Sequence, residues 1–238
     1  MRILATSDLD FPGALQTFWT LLQKEQEPDL MLFAGDMYEF KEKEQYKTIL
    51  DYIEKAKWKC PIVAVFGNKE FDQDHEYLKK LCGSRVIFLN DETLILEVAG
   101  KQVGIVGTRG CIDVPTFWQA KTTPNIADVY RKRLENVTGQ LMNLRALQVP
   151  VRILMSHYAA TYLTLRGEDP KVYGGLGCKG FEEVIRKTEP TFVIHGHAHY
   201  GTPQAKVGDV TIYNVALPLN KRFVEIGGEK RGLEMFTR

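Results

Sequence analysis

Five strand-like runs in this chain each end in side chains able to hold a cation. The run 2–6 leads into Asp8 and Asp10, the run 30–34 into Gly35-Asp36, and the run 62–66 into Gly67-Asn68-Lys69-Glu70. Further along, the run 151–155 leads into Ser156-His157, and 191–194 into His195-Gly196-His197-Ala198-His199. Open α/β sheets bind ligands in the crevice outside the carboxyl ends of their strands. Oxygen and imidazole donors gathered at such an edge can hold one or two divalent ions. Singly, most of these groups have a plainer reading, although His197 and His199, alternating along an extended segment, lean toward a metal even alone. Asp8 reads as a cap on a turn, the Gly-Asp and Gly-Asn pairs as turn residues, and His157 as a hydrogen-bonded core histidine. Five groups in register at strand ends read as a metal site.

The elements that must position these residues follow from periodicity. Leu15, Phe18, Trp19 and Leu22 share one face of a helix over 14–23, and Tyr46, Ile49, Leu50 and Ile53 one face of a helix over 41–57. The spacings from Asp8 to Asp36 and from Asp36 to Asn68 suit successive βαβ units of about 30 residues, with parallel strands and right-handed crossovers. After Arg85 the pattern changes to short strands over 86–89, 93–98 and 102–106, the last two joined by Ala99-Gly100-Lys101 as a hairpin. That shift implies a mixed sheet, or a second sheet packed on the first. Thr123-Pro124 reads as the start of a helix carrying Ile126, Tyr130, Leu134, Val137, Leu141 and Leu144. A Gly-rich loop spans 158–180, a helix 181–187, and the tail 205–236 reads as antiparallel strands.

The 238 residues, 44% of them hydrophobic, suffice for one core, and the chain reads as a single domain over 1–238. A net charge of +1 supplies no field for non-specific nucleic-acid binding, so nucleic acid is disfavoured as a partner. The four cysteines are scattered without paired spacing and read as reduced thiols of a cytoplasmic protein. The chain starts at once on a strand, without a signal peptide, and no apolar run reaches the roughly 18 residues of a membrane span.

In order, spacing and strand-end placement, these five blocks resemble the calcineurin-like metallophosphoesterase superfamily. That family carries an Asp-x-His block, a Gly-Asp block, a Gly-Asn-His-Glu/Asp block, an isolated His and a Gly-His-x-His block. The resemblance implies an α/β fold of two mixed β-sheets packed as a sandwich and flanked by helices, with a dimetal site at the sheet edge. It implies that Asp36 bridges two metals, that Asp8 and His199 hold the first together with residue 10, and that Asn68, His157 and His197 hold the second. A bridging carboxylate keeps such metals about 3.5–4 Å apart, so that one activates water while both neutralise phosphoryl oxygens. One or two divalent ions are expected, Mn²⁺ favoured, with Fe, Zn²⁺ or Mg²⁺ as alternatives.

The chain departs from the pattern twice. Asp10 stands where the first block has His, and Lys69 where the third block has His. Three accounts follow, in order of preference. Asp10 is a replacement ligand that favours hard ions such as Mn²⁺ or Mg²⁺, and Lys69 binds phosphate or serves as general acid. Alternatively, Lys69 and Asp10 pair inside the site and the ammonium replaces the first metal. In the third account the fold serves as a binding scaffold, as in a retromer subunit that shares it and also lacks the third-block His. Asn68 and Lys69 are therefore the catalytic candidates, and Arg109 and Lys69 the candidates for gripping phosphate.

Arg109 reads equally as a surface ion-pair member. Tyr158 is placed to line the pocket, His195 reads as structural, and His75 as exposed and idle. Phe117 and Trp118, in a loop-like stretch, suit a cap over the site or a partner surface. The expected activity is metal-dependent hydrolysis of a small phosphoester, with diesters or nucleotide-like substrates favoured over protein phosphates. The rival reading is a non-catalytic metal- or protein-binding scaffold. A homo-oligomer is compatible with the sequence.

Overall fold

The computed structural model describes residues 1–39 and 41–227. Its first half alternates β1 (Ile3–Thr6), α1 (Ala14–Lys24), β2 (Leu30–Phe33), α2 (Gln45–Lys55), β3 (Ile62–Val65), α3 (His75–Cys82) and β4 (Ile87–Leu89). The chain continues through the hairpin β5 (Glu92–Val98) and β6 (Lys101–Thr108), then α4 (Phe117–Thr122), α5 (Ile126–Ala146) and β7 (Val151–Ser156). The elements α6 (Tyr173–Leu176), α7 (Gly180–Thr188), β8 (Phe192–His195), β9 (Gln204–Val207), β10 (Val210–Asn214), α8 (Leu217–Asn220) and β11 (Val224–Ile226) follow.

Two mixed sheets result, in the orders β11-β1-β2-β3-β4 and β5-β6-β7-β8-β10-β9. Strands β1 to β4 run parallel, as do β6, β7, β8 and β10, while β11, β5 and β9 pair antiparallel at the edges. The strands are apolar on both faces because both faces are covered, as parallel strands require. Ile3 and Ala5 of β1 point into a layer with Leu32, Val63, Ile105, Ile153 and Ile194, which joins the sheets. Leu4 of the same strand points the other way, to Phe18 of α1 and Ile49 and Ile53 of α2. On the far side Val106, Leu154 and Val193 meet Val137 and Leu141 of α5 and Phe181 of α7. The order of layers is helix, sheet, sheet, helix.

The helical faces read from periodicity are the buried ones. Ala99 and Gly100 turn the hairpin at φ 48 and 74, the left-handed pair that a two-residue hairpin turn demands. Several boundaries differ from the sequence reading: α2 starts at Gln45 rather than at 41, and the stretch 158–180 read as loop holds α6. Phe117 and Trp118 open the helix α4 rather than sitting in a loop, and Thr116 caps it with a reciprocal capping box to Gln119. Thr123 closes α4, and α5 starts after Asn125, which gives no side-chain cap. The tail is antiparallel only in part: β9 pairs antiparallel with β10, which also pairs parallel with β8, while β11 crosses to the other sheet and pairs antiparallel with β1. The remainder of that tail, 228–236, lies outside the described residues.

Candidate metal centre

The carboxyl ends of β1, β2 and β3 in one sheet and of β7 and β8 in the other meet at a single edge. The connecting loops bond to each other there. Asp8 N–H donates to the Gly35 carbonyl at 3.0 Å, Leu9 N–H to the Asp36 carbonyl at 2.8 Å, and Gly196 N–H to the His157 carbonyl at 3.1 Å. The close approach requires glycine. A Cβ on Gly35 would lie 2.7 Å from both Gly67 N and His157 Nδ1, and Gly35 has φ +87. A Cβ on Gly67 would overlap the Asp36 carboxylate and backbone.

Two donor clusters occupy this edge. Asp8, Asp36, His157 and His197 bring one ligand atom each within 4.8 Å of one another, and Asp8, Asp10 and His199 do the same. Asp8 belongs to both. Asn68 joins the first, its Oδ1 lying 2.9 Å from His157 Nε2, which is also 3.5 Å from Asp36 Oδ2. His157 Nδ1 is held by the Ala34 carbonyl at 2.9 Å, fixing the ring with Nε2 toward the cluster. His199 Nε2 stands 3.2 Å from Asp8 Oδ1, and His197 N–H donates to Asp8 Oδ2 at 2.9 Å. Asp8, Asp36 and His197 have φ of 59, 51 and 68, a left-handed conformation uncommon outside glycine.

The carboxylates and imidazoles of the cluster shift one another's charge states. Burial alone would favour the neutral acid at Asp8, but the His199 hydrogen bond and the His157 charge hold its carboxyl below the usual carboxylate range. Burial works against an imidazolium at His157, yet the adjacent Asp36 pushes that group up to about 9. Burial pushes His197 down to about 3, so it is a neutral imidazole ready to ligate. The donor set of carboxylates, an amide oxygen and imidazoles suits Mn²⁺, Fe or Zn²⁺.

The two departures from the motif touch each other. Lys69 Nζ forms an ion pair with Asp10 Oδ2, and the Asp10 side chain is only 3% exposed. Its other oxygen, Oδ1, is buried without a hydrogen-bond partner. Burial pushes the Lys69 ammonium below its ordinary value, opposed by the Asp8 carboxylate.

Arg109 Nη2 donates to the Glu70 carbonyl at 2.9 Å and pairs with Asp72 Oδ1 at 2.8 Å, so it clamps the loop after β3. His75 is not exposed and idle. It is buried, stacked on Phe66 at 3.6 Å between ring centroids, with Nε2 3.0 Å from the Glu70 carbonyl oxygen. Its place in an acidic stretch concealed that it starts α3 on the core side. Tyr158 packs its ring 5.0 Å from that of His197 and so lines the site. His195 is buried and structural, with Nε2 2.8 Å from Thr164 Oγ1.

Glu70 went unassigned in the sequence, yet it braces the site. Its carboxylate accepts Asp36 N–H at 2.9 Å, Met37 N–H at 3.0 Å, Gly67 N–H and the Tyr46 hydroxyl at 3.1 Å. Its place two residues after Asn68 was the signal available.

The family model described as calcineurin-like phosphoesterase matches residues 1–201. Among solved structures, protein TT1561 of Thermus thermophilus superposes with a TM-score of 0.57 at 16% identity, over 94% of this chain and 97% of that one. A putative 5′-nucleotidase of Staphylococcus aureus gives 0.57 at 15% identity, over 90% of this chain and 48% of that one. The NAD nucleotidase of Haemophilus influenzae gives 0.53 at 13%, over 90% and 50%. The chain thus spans about half the length of the two nucleotidases, and at these identities the likeness is one of fold. Comparison with curated proteins finds no match.

Proposed function

The chain belongs to the calcineurin-like phosphoesterase family, and on that premise we propose that it is a metal-dependent hydrolase of small phosphoesters, with Mn²⁺ as the working ion and phosphodiesters or nucleotide-like compounds as substrates. The observation that carries this reading is the convergence of Asp8, Asp36, His157 and His197 from four strand ends on one point. In this reading Asp36, Asn68, His157 and His197 hold one ion, and Asp8 and His199 belong to the position beside it. Divalent ions there supply water activation at neutral pH and neutralise charge on phosphoryl oxygens.

The chain's own groups do the rest. The Ala34 carbonyl and Asn68 hold the His157 ring, and Ser7 and the His197 backbone orient the Asp8 carboxylate. Lys69, whose side chain is 30% exposed and whose ammonium has three donors, keeps Asp10 on one and offers the others to a phosphoryl oxygen. An ammonium paired with Asp10 is a weaker proton donor to a departing alkoxide than the imidazolium that the family pattern places at position 69. Esters with good leaving groups are therefore the better substrates.

Nucleotide-like substrates agree with the presence of two nucleotidases among the proteins of similar fold. Four buried, unpaired cysteines support a reducing, cytoplasmic compartment. Among the described residues no helix is long and apolar enough to cross a membrane. The family match and the layer joining both sheets support one domain over 1–238.

The test compares hydrolysis of bis-p-nitrophenyl phosphate and p-nitrophenyl phosphate by Mn²⁺-loaded protein and by Asp36→Asn. Metal-dependent turnover, faster on the diester and reduced to background in the variant, is the expected result. Failure of the native protein to turn over either ester after loading would move the reading to the binding scaffold.

A further inference from the structure

Substitution of two imidazoles by Asp10 and Lys69 looks disruptive when each position is taken alone. Taken together it exchanges two neutral rings for one anion and one cation, which leaves the formal charge of the site unchanged. The two side chains meet through a single carboxylate oxygen, Asp10 Oδ2. The other oxygen, Oδ1, is buried and accepts nothing. A buried acceptor without a partner is destabilising, and Asp10 is almost wholly enclosed. Lys69 explains the first oxygen but leaves the second without a role. The remaining members of the cluster, Asp8 and His199, bring their ligand atoms within 4.8 Å of an Asp10 oxygen.

We infer that the Lys69–Asp10 couple converts the first cation position into an oxygen-rich one, in which Asp10 Oδ1 joins Asp8 and His199 to hold a hard divalent ion of the Mn²⁺ or Mg²⁺ class while Oδ2 retains the ammonium. The inference rests on the metal-centre reading above and specifies which ion that position selects. A carboxylate has two oxygens and can face two cations at once. Ligating carboxylates are themselves commonly hydrogen-bonded by a neighbour that fixes their orientation, and the ammonium fills that role here. The two positions then differ in character. Asp10 makes the first one carboxylate-rich, whereas His157 and His197 make the second nitrogen-rich, and imidazole suits Zn²⁺ and Fe better than it suits Mg²⁺.

The test is metal stoichiometry and affinity of the purified full chain, read by elemental analysis after loading and by calorimetric titration with Mn²⁺ and with Zn²⁺. The native protein is expected to retain two Mn²⁺ ions per chain, and Lys69→Met also two. Asp10→Asn, close to isosteric, is expected to retain one. Asp10→His is expected to retain two and to shift the preference of the first position toward Zn²⁺ by about tenfold or more, following ligand softness.

Retention of two Mn²⁺ ions by Asp10→Asn at native affinity would overturn the inference. So would one ion in the native protein and two in Lys69→Met, which would mean that the ammonium occupies the position itself. Either of these leaves the metal-centre reading standing. A native protein that binds no ion would remove both.

Discussion

Glu70 shows how much of a site lies outside its ligands. Three backbone N–H groups and a buried phenol end on its carboxylate, and its own carbonyl is gripped by Arg109. Glu70→Ala would leave those donors enclosed with no acceptor, at about 1–3 kcal/mol for each orphaned group and less than the plain sum for all. A loss of about 3 kcal/mol or more in urea unfolding is expected, with Glu70→Gln milder because one oxygen can still accept. A loss below about 1 kcal/mol for Glu70→Ala would mean that water or a shifted loop replaces the brace. The residues that hold this edge together were less legible than the donors themselves. Asp8, Asp36, Asn68, His157, His197 and His199 announce themselves by type and by their place after apolar runs. Glu70 and Arg109 depend on contacts between segments 34 and 39 residues apart, which no local pattern encodes, while His75 was hidden by the acidic residues around it.

At the scale of elements, the loops after β2 and β3 matter more than the strands themselves. Gly35 sits at φ +87 with Gly67 N and His157 Nδ1 where its Cβ would be. Gly35→Ala therefore meets left-handed strain and overlap together, each costing about 1–3 kcal/mol. The expected outcome is destabilisation by about 3 kcal/mol in urea, accompanied by weaker metal retention as His157 is displaced. A variant of native stability would show that the two loops can separate freely.

Helix faces and the hairpin were readable because burial imposes a period of about 3.6 and the turn imposes left-handed residues. The boundary between α4 and α5 was not. Thr123-Pro124 carries a start signal, but Thr116 and Gln119 form a complete capping box further upstream, and the stretch around Pro124 became the joint between two helices. Phe117 is 84% exposed, which is why it offered no helical period to read.

The whole molecule is two sheets sharing an apolar layer, with the donor edge spanning both. The candidate donors follow β1, β2 and β3 of one sheet and β7 and β8 of the other, so an ion held at the edge would tie the sheets together. Mn²⁺ binding should raise the stability of the entire fold. At a free concentration about 100 times the dissociation constant, the gain is about 2.7 kcal/mol. For a chain of this size that corresponds to a rise of roughly 5–10 °C in Tm. Differential scanning calorimetry with and without Mn²⁺ checks it, and Asp36→Asn should show no rise. A shift confined to one of two separate transitions would mean that the sheets unfold independently. The two-sheet arrangement itself could be inferred from sequence only through family resemblance. Periodicity showed a change of strand type after Arg85, but not that the second set of strands stacks on the first.

The left-handed backbone at Asp8, Asp36 and His197 has a consequence for how this chain would change under selection. Backbone conformation alone makes each of those positions easier for glycine than for the residue it carries, although aspartate and histidine tolerate it better than most side chains. Where no ion is available to stabilise the fold, pressure for heat resistance with no demand for turnover would therefore favour changes at those three positions while leaving Ile3, Leu32 and Ile194 in place. Such a lineage would keep its sheets, its helices and its overall shape, and would become an inert scaffold by a few steps that each make folding easier.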